Sequence, residues 1–361
     1  MVFNSSQTFN GVAIDRLNLP ENKQTTRISK GQMDLSNRVG KVKGEIIGME
    51  QQEHNRDSIE DLFQGLRAKT AQLLRERGEA FFMPIDNSYC LFCDIKLPRE
   101  TALEIKGQSL RPFHASEVNL NKKQNFQLIL KTYIASQYPS FDLRRLPESA
   151  NQLQLREIQS RFWEICLEQS VDMIIDLTNM NDMNKTPALY SYIPADDLLD
   201  FENLQVLTQT KSVQMIESET RKLSHASYLI QRNQDSKDAE ENAINMQAIK
   251  RIHFQSWPDT KGLQAEDINY LIQQIRHFQS QTSQGKLLIH CRAGVGRTGT
   301  LITCLSLLDL IKNNEVTENN LKSVIECLVL QGREQRGPLF VQTVDQLNTI
   351  YEFGLLALNQ I

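Results

Sequence analysis

The chain has 361 residues, 40% of them hydrophobic, which suffices for one large domain with a substantial core and a smaller N-terminal region. A formal net charge of −4 gives no electrostatic case for nucleic acid or an anionic membrane surface, so neither is expected as a partner. No apolar run is long enough to span a bilayer, and Met1-Val2-Phe3-Asn4-Ser5-Ser6-Gln7 lacks the basic start and apolar stretch of a cleavable secretory signal.

Residues 1–57 are polar and rich in Asn, Gln, Ser and charge, with Phe3 and Phe9 their aromatic residues. Such a composition buries little surface, so a disordered N-terminal region is expected, acting as a secretion signal, a chaperone-binding segment or a passive tail. Residues 58–361 are expected to form the folded domain. Ser58-Ile59-Glu60-Asp61 reads as an N-capped helix start, continuing through Leu62, Leu66 and Leu73-Leu74. From about Ala80 strands and loops dominate. Leu155 to Gln169 reads as an amphipathic helix with Ile158, Phe162, Ile165 and Cys166 on one face. Val171 to Thr178 reads as a strand, and residues 205–233 and 247–255 alternate as strands around the charged loop 234–241. Helices are expected at about 265–280, 298–312, 317–330 and 343–357, with a short buried strand, Lys286-Leu287-Leu288-Ile289, among them. Strand-rich first and helix-rich later, the pattern predicts an α/β (α+β) fold with a central twisted mixed β-sheet flanked by helices.

Of the six cysteines, Cys166, Cys304 and Cys327 sit in apolar helical patterns and read as buried thiols. Cys90-Leu91-Phe92-Cys93 is a lone CxxC with no second ligand pair at zinc spacing, so structural thiols are expected, with no metal and no cofactor.

The richest stretch is His290-Cys291-Arg292-Ala293-Gly294-Val295-Gly296-Arg297-Thr298. It places a thiol, two glycines, an arginine and a hydroxyl on one turn between the short strand and a helix. A glycine-bearing turn that opens a helix is an anion cradle, because its free N–H groups and the helix dipole favour negative charge. A cysteine in such a cradle beside a guanidinium is expected to be a thiolate. That chemistry holds a phosphoryl group and attacks it, and it requires a reducing compartment such as the cytoplasm.

The stretch resembles the signature of the Cys-based protein tyrosine phosphatases. In the form Cys-Arg-Ala-Gly-Val-Gly-Arg-Thr it is similar to phosphatases that bacterial pathogens inject into host cells. The resemblance implies phosphotyrosyl proteins as partners, those of a host cell among them, a secretion chaperone at the N-terminal region, and export without a cleavable signal. It assigns Cys291 as nucleophile, with the amides of Arg292, Ala293, Gly294, Val295, Gly296 and Arg297 around the phosphate. The Arg297 guanidinium forks onto two phosphate oxygens, Thr298 donates its hydroxyl to the sulfur, and His290 fixes the loop. Trp257-Pro258-Asp259, about thirty residues earlier, is similar to the family's mobile acid loop, which makes Asp259 the general acid and Trp257 its support. Arg333 to Gln346 resembles the glutamine loop, with Gln342 orienting water for the second step and Gln346 assisting. After Leu177-Thr178 the family places a glutamate that braces the cradle arginine. Here the position is Asp182, which either pairs with Arg297 or faces solvent. The loop that grips the phosphotyrosine ring is matched by Asn87-Ser88-Tyr89 alone, making Tyr89 the candidate there.

Two other readings stand beside an active tyrosine phosphatase. An inositol phosphate or phosphoinositide phosphatase shares the cradle and calls for extra basic groups at the mouth, for which Arg292 and Lys261 are the candidates. A non-catalytic phosphotyrosine-binding module needs the cradle but neither the acid nor the glutamine loop.

Overall fold

Why the cradle lies where it does follows from the order of the strands in a computed structural model of the protein. It describes residues 58–84, 90–92, 94–104, 113–120, 132–142, 144, 148–183, 185–233, 246–279 and 285–360. The readings of residues 1–57, of Tyr89, of Cys93 and of the charged loop 234–241 lie outside the described residues. Helix α1 spans 58–77. Strands β1 (Phe82–Met83) and β2 (Leu97–Pro98) pair with each other, apart from the main sheet. The main sheet contains β3 (Ala115–Val118), β4 (Tyr133–Ser136), β5 (Val171–Asp176), β6 (Leu198–Asp200), β7 (Leu204–Ile216), β8 (Lys222–Arg232), β9 (Met246–Phe254) and β10 (Lys286–His290). The remaining helices are α2 (Glu148–Glu168), α3 (Met180–Met183), α4 (Ala265–Gln279), α5 (Gly296–Lys312), α6 (Leu321–Arg336) and α7 (Val344–Leu358).

The strand order is β3-β4-β10-β5-β9-β8-β7-β6. The middle four, β4, β10, β5 and β9, run parallel, and the strands on either side are antiparallel. This is the mixed sheet flanked by helices that the pattern predicts. Parallel strands are covered on both faces, and alternate side chains serve the two cores. Leu288 of β10 and Ile174 of β5 pack with Phe162, Trp163 and Ile158 of α2. Their neighbours Leu287, Ile289, Met173 and Ile175 pack with α4 to α7 and with Ile59, Phe63 and Leu66 of α1. Each such fully buried side chain contributes roughly 1.5–3 kcal/mol. Helix α1 is clipped to α6 by Lys69–Glu326 at 2.6 Å and by Arg77–Glu334 at 2.5 Å.

Boundaries depart from the sequence reading by a turn or two. Helix α2 begins at Glu148, not Leu155, directly after Pro147 in the chain, where proline suits a helix start. Helix α5 begins at Gly296, which draws Arg297 into its first turn. Because β4, β10, β5 and β9 are parallel, the segments that follow them leave the sheet at the same edge, where open α/β sheets bind ligands. Among the described residues no helix is long and apolar enough to cross a membrane.

Candidate active site

Cys291 follows the last residue of β10 and is almost fully buried, at 2% exposure. Gly294 has φ +71°, and a Cβ there would overlap the Ser136 carbonyl and lie 2.7 Å from Gln137 N. The position therefore needs glycine for backbone reasons alone. The turn brings the Gly294 N–H to 3.3 Å from the Cys291 sulfur. The loop's carbonyls are tied elsewhere: Arg292 O accepts from Tyr138 N at 3.1 Å, Val295 O from Val341 N at 3.2 Å, and Gly294 O from Arg336 Nε at 3.0 Å. Such an outward set of carbonyls leaves the loop's N–H side for an anion. Helix α5 opens from the loop with no side-chain cap on its first N–H groups, as an anion site at a helix start requires. Arg336 is fully buried. Burial pushes its pKa down to about 9, against a favourable interaction with Cys291.

Thr298 departs from expectation. Its hydroxyl is buried and makes no hydrogen bond among the described residues, to the sulfur included. The sulfur's donor in range is the Gly294 amide, because the positive-φ turn points that N–H inward.

Arg297 is 1% exposed and gathers four acceptors. Its Nη1 donates to Asp182 Oδ2 at 2.6 Å, Leu177 O at 2.9 Å and Trp257 O at 3.0 Å, and its Nη2 donates to Asp259 Oδ1 at 3.0 Å. Burial opposes its charge, but Cys291, Asp182 and Asp259 hold its pKa above the usual value. Of the two readings of Asp182, the buried one is found: the residue is wholly inaccessible and also accepts from Asn179 N at 2.8 Å. The acid loop is folded onto the cradle. Trp257 is buried with its indole N–H on Lys261 O at 2.9 Å, and Asp259 keeps a quarter of its side chain exposed. Thr343 Oγ1 donates to Thr260 O at 3.0 Å, linking this loop to the start of α7. On that start, Gln346 Oε1 accepts from Gln342 N at 2.8 Å. Both glutamine side chains approach Gly296, where a Cβ would come within 2.8 Å of Gln346 Nε2 and 3.1 Å of Gln342 Oε1. The Gln346 amide nitrogen is buried and unpartnered among the described residues.

His290 is buried, with Nε2 2.8 Å from the Tyr192 hydroxyl and Nδ1 3.3 Å from Cys291 O. Burial pushes its pKa down to about 4, so it is neutral at pH 7. Arg292 is not an open basic group at the mouth. Its Nη2 donates to Pro187 O at 2.5 Å, its guanidinium lies over the Phe92 ring, and it is 6% exposed. Lys261 is exposed, 4.0 Å from Asp345. Sequence reasoning missed Lys185, whose Nζ lies 3.4 Å from Asp259 Oδ2 and 3.6 Å from Asp182 Oδ1. No local pattern marks it, because Asp259 comes from a segment 74 residues further along the chain.

Residues 93–355 match the model of the protein-tyrosine phosphatase family. The chain belongs to that family. It is 28% identical over 214 residues to mouse (Mus musculus) tyrosine-protein phosphatase non-receptor type 20, covering 59% of this chain and 45% of that protein. Mouse receptor-type tyrosine-protein phosphatase eta is 27% identical over 307 residues, 79% of this chain and 22% of that protein. The chain thus spans less than half the length of these relatives. Among solved structures, the Trypanosoma cruzi protein tyrosine phosphatase TcPTP1 superposes with a TM-score of 0.60 at 16% identity, over 82% of this chain and 93% of that one. PTPN18 in complex with HER2-pY1196 phosphopeptides superposes with a TM-score of 0.62 at 17% identity, over 84% and 93%. These two likenesses establish the fold.

Proposed function

We propose that the protein is a phosphoric monoester hydrolase that removes phosphate from phosphotyrosine in proteins through a phosphorylated Cys291. The observation that carries the proposal is convergence: Cys291 and the buried Arg297, held on one loop at the start of α5, meet the acid Asp259 from a separate, earlier segment. In the first step the Cys291 thiolate attacks phosphorus, an S–P bond forms and the P–O bond to the phenol breaks. Charge on the equatorial oxygens is met by cradle amides and by Arg297. Phosphate oxygens displace Asp259 from Arg297 Nη2, and the freed carboxyl delivers a proton to the leaving oxygen. In the second step Gln342, supported by Gln346, orients a water that attacks phosphorus; the S–P bond breaks, Cys291 leaves as thiolate, and the Asp259 carboxylate takes the water's proton, which restores the acid.

The solved complex of PTPN18 with a phosphorylated HER2 peptide supports a phosphotyrosyl substrate by analogy of fold. The engagement of Arg292 by Pro187 and Phe92 weighs against an inositol phosphate substrate, which needs free basic groups at the mouth. Retention of the acid and both glutamines weighs against a pure binding module. Delivery into a host cell rests on the residues of the cradle alone.

Phosphate release from phosphotyrosyl peptides tests the proposal. Cys291→Ser abolishes turnover, and Asp259→Ala lowers kcat by about 10²–10⁴-fold while retaining bound phosphoprotein from a host lysate. Wild-type protein that binds these peptides without releasing phosphate, or prefers inositol phosphates, overturns it.

A further inference from the structure

The acid loop, from Trp257 to Leu263, is tied down at both ends, and its downstream tie is a single buried hydroxyl. Upstream, Gln255 O accepts from Asn179 Nδ2 at 2.8 Å, and Ser256 Oγ accepts from Lys222 N at 2.9 Å. Downstream, the hydroxyl of Thr349, on the second turn of α7 and 3% exposed, accepts from Leu263 N at 2.8 Å. Its one proton faces Leu263 O at 2.9 Å and Asp345 O at 3.0 Å. An N–H only donates and a carbonyl only accepts, so this hydroxyl can serve both polar groups of Leu263, as the edge of a neighbouring strand would. The residue before it completes the fit. A Cβ on Gly262 would lie 2.5 Å from Asp345 O and 2.6 Å from Thr349 Oγ1, so loop and helix meet without a side chain between them. Leu347, Ile350 and Phe353 seat α7 in the core, which makes the helix a rigid anchor.

We propose that Thr349 is a positioning residue for the general acid, pinning the downstream stem of the acid loop to α7 so that Asp259 stays over the cradle once phosphate is bound. In the absence of substrate Asp259 itself holds the loop down, through Arg297 Nη2 at 3.0 Å. Phosphate oxygens take over that contact, so it is lost at the moment the acid is needed. Upstream of the acid, Trp257 O keeps its bond to Arg297 Nη1 at 3.0 Å. Downstream of it, the polar ties to the rest of the domain, among the described residues, run to α7: Thr343 to Thr260 O, Lys261 to Asp345 at 4.0 Å, and Thr349 to Leu263. Thr260 and Lys261 are exposed, where water replaces a lost partner and an ion pair is weak. The buried Thr349 hydroxyl is the tie that water does not replace. A general acid works only within hydrogen-bond reach of the leaving oxygen, and a loop free to lift at one end is less often in that geometry.

The inference rests on the phosphatase reading for its effect on turnover, so one test reads structure and the other activity. Hydrogen exchange on the full chain, followed by mass spectrometry, reports the protection of residues 257–263. Thr349→Val keeps the shape of the side chain and removes the hydroxyl. Exchange in this segment is expected to rise about tenfold, the effect of one lost net hydrogen bond, with β10 and α5 unchanged. Thr349→Ser keeps the hydroxyl and restores protection. Gly262→Ala lifts the loop from its own side by overlap with Asp345 O, and gives the same local rise without altering the core.

In the activity test, with p-nitrophenyl phosphate, Thr349→Val and Gly262→Ala lower kcat by up to about tenfold and Thr349→Ser does not. Neither Thr349→Val nor Gly262→Ala lowers the residual turnover of Asp259→Ala any further, because the effect runs through the acid. A merely structural role predicts equal losses with and without Asp259, and that result overturns the proposal. So does exchange at 257–263 that is unchanged in both variants, or that rises throughout the chain in both. Wild-type protein that fails to hydrolyse the ester sinks the phosphatase reading, and the exchange result then decides by itself whether Thr349 pins the loop.

Discussion

Removing the Asp182 carboxylate probes how the Arg297 guanidinium is held. In Asp182→Ala, Arg297 loses its shortest contact, 2.6 Å, from a site where both side chains are 0–1% exposed. Asn179 N loses its acceptor as well. Stripping one partner from a buried pair costs about 3–5 kcal/mol, because the other charge stays buried. Leu177 O, Trp257 O and Asp259 remain on Arg297, so the lower end, about 3 kcal/mol, is expected. Some of that loss falls on phosphate binding, since a guanidinium without its brace no longer points its fork at the cradle. A drop of about 10²-fold in kcat/KM corresponds to roughly 2.7 kcal/mol of transition-state stabilisation. Urea denaturation gives the first quantity and phosphate release from a phosphotyrosyl peptide the second. Asp182→Glu keeps the charge and adds one methylene, so its stability loss stays under about 1.5 kcal/mol. Asp182→Ala lying within about 0.5 kcal/mol of wild type, the range of ordinary surface substitutions, with unchanged kcat/KM, would refute the reasoning. The acid would then behave as a solvent-facing loop residue.

Two further expectations follow from the same geometry. Gly294→Ala forces an L side chain to φ +71° and a methyl group onto the Ser136 carbonyl; the dihedral costs about 1–2 kcal/mol and the overlap about 1–3 kcal/mol more. The variant is expected to lose vanadate binding along with turnover, and retention of either contradicts the assigned backbone. For pH, burial pushes His114 down to about 3 from an ordinary 6.5. Between those values the unfolded chain binds a proton that the folded one does not, so stability falls as pH falls, by about 1.4 kcal/mol per unit from this group. His290, down to about 4, acts in the same sense. Urea midpoints at pH 7 and pH 5 should therefore differ less in His114→Asn than in wild type, and an equal difference would show that His114 titrates normally.

Much of the site was legible because its central device is contiguous. A strand, a positive-φ glycine and a helix start specify an anion cradle from consecutive residues, and Cys291 to Thr298 contain all three. The apolar run of β10 and the periodicity of α4 and α7 likewise predict their own burial. The start of α2 was less legible, because the polar first turns from Glu148 to Gln154 carry no apolar stripe. Thr298 shows the limit of analogy: its hydroxyl type fits a sulfur contact, yet the geometry directs the Gly294 amide there instead.

What sequence alone determined is what neighbours in the chain carry: a thiol set in a glycine-bearing turn, the helix that opens from it, and the layered α/β architecture. What only tertiary structure decided is who meets whom across the sheet. Asp182 reaches Arg297 across 115 residues, and Arg251 reaches Asp176 across 75. Local backbone forces shape a loop from its own residues. The fate of a lone buried charge depends instead on the register of parallel strands, which brings its partner in from far along the chain.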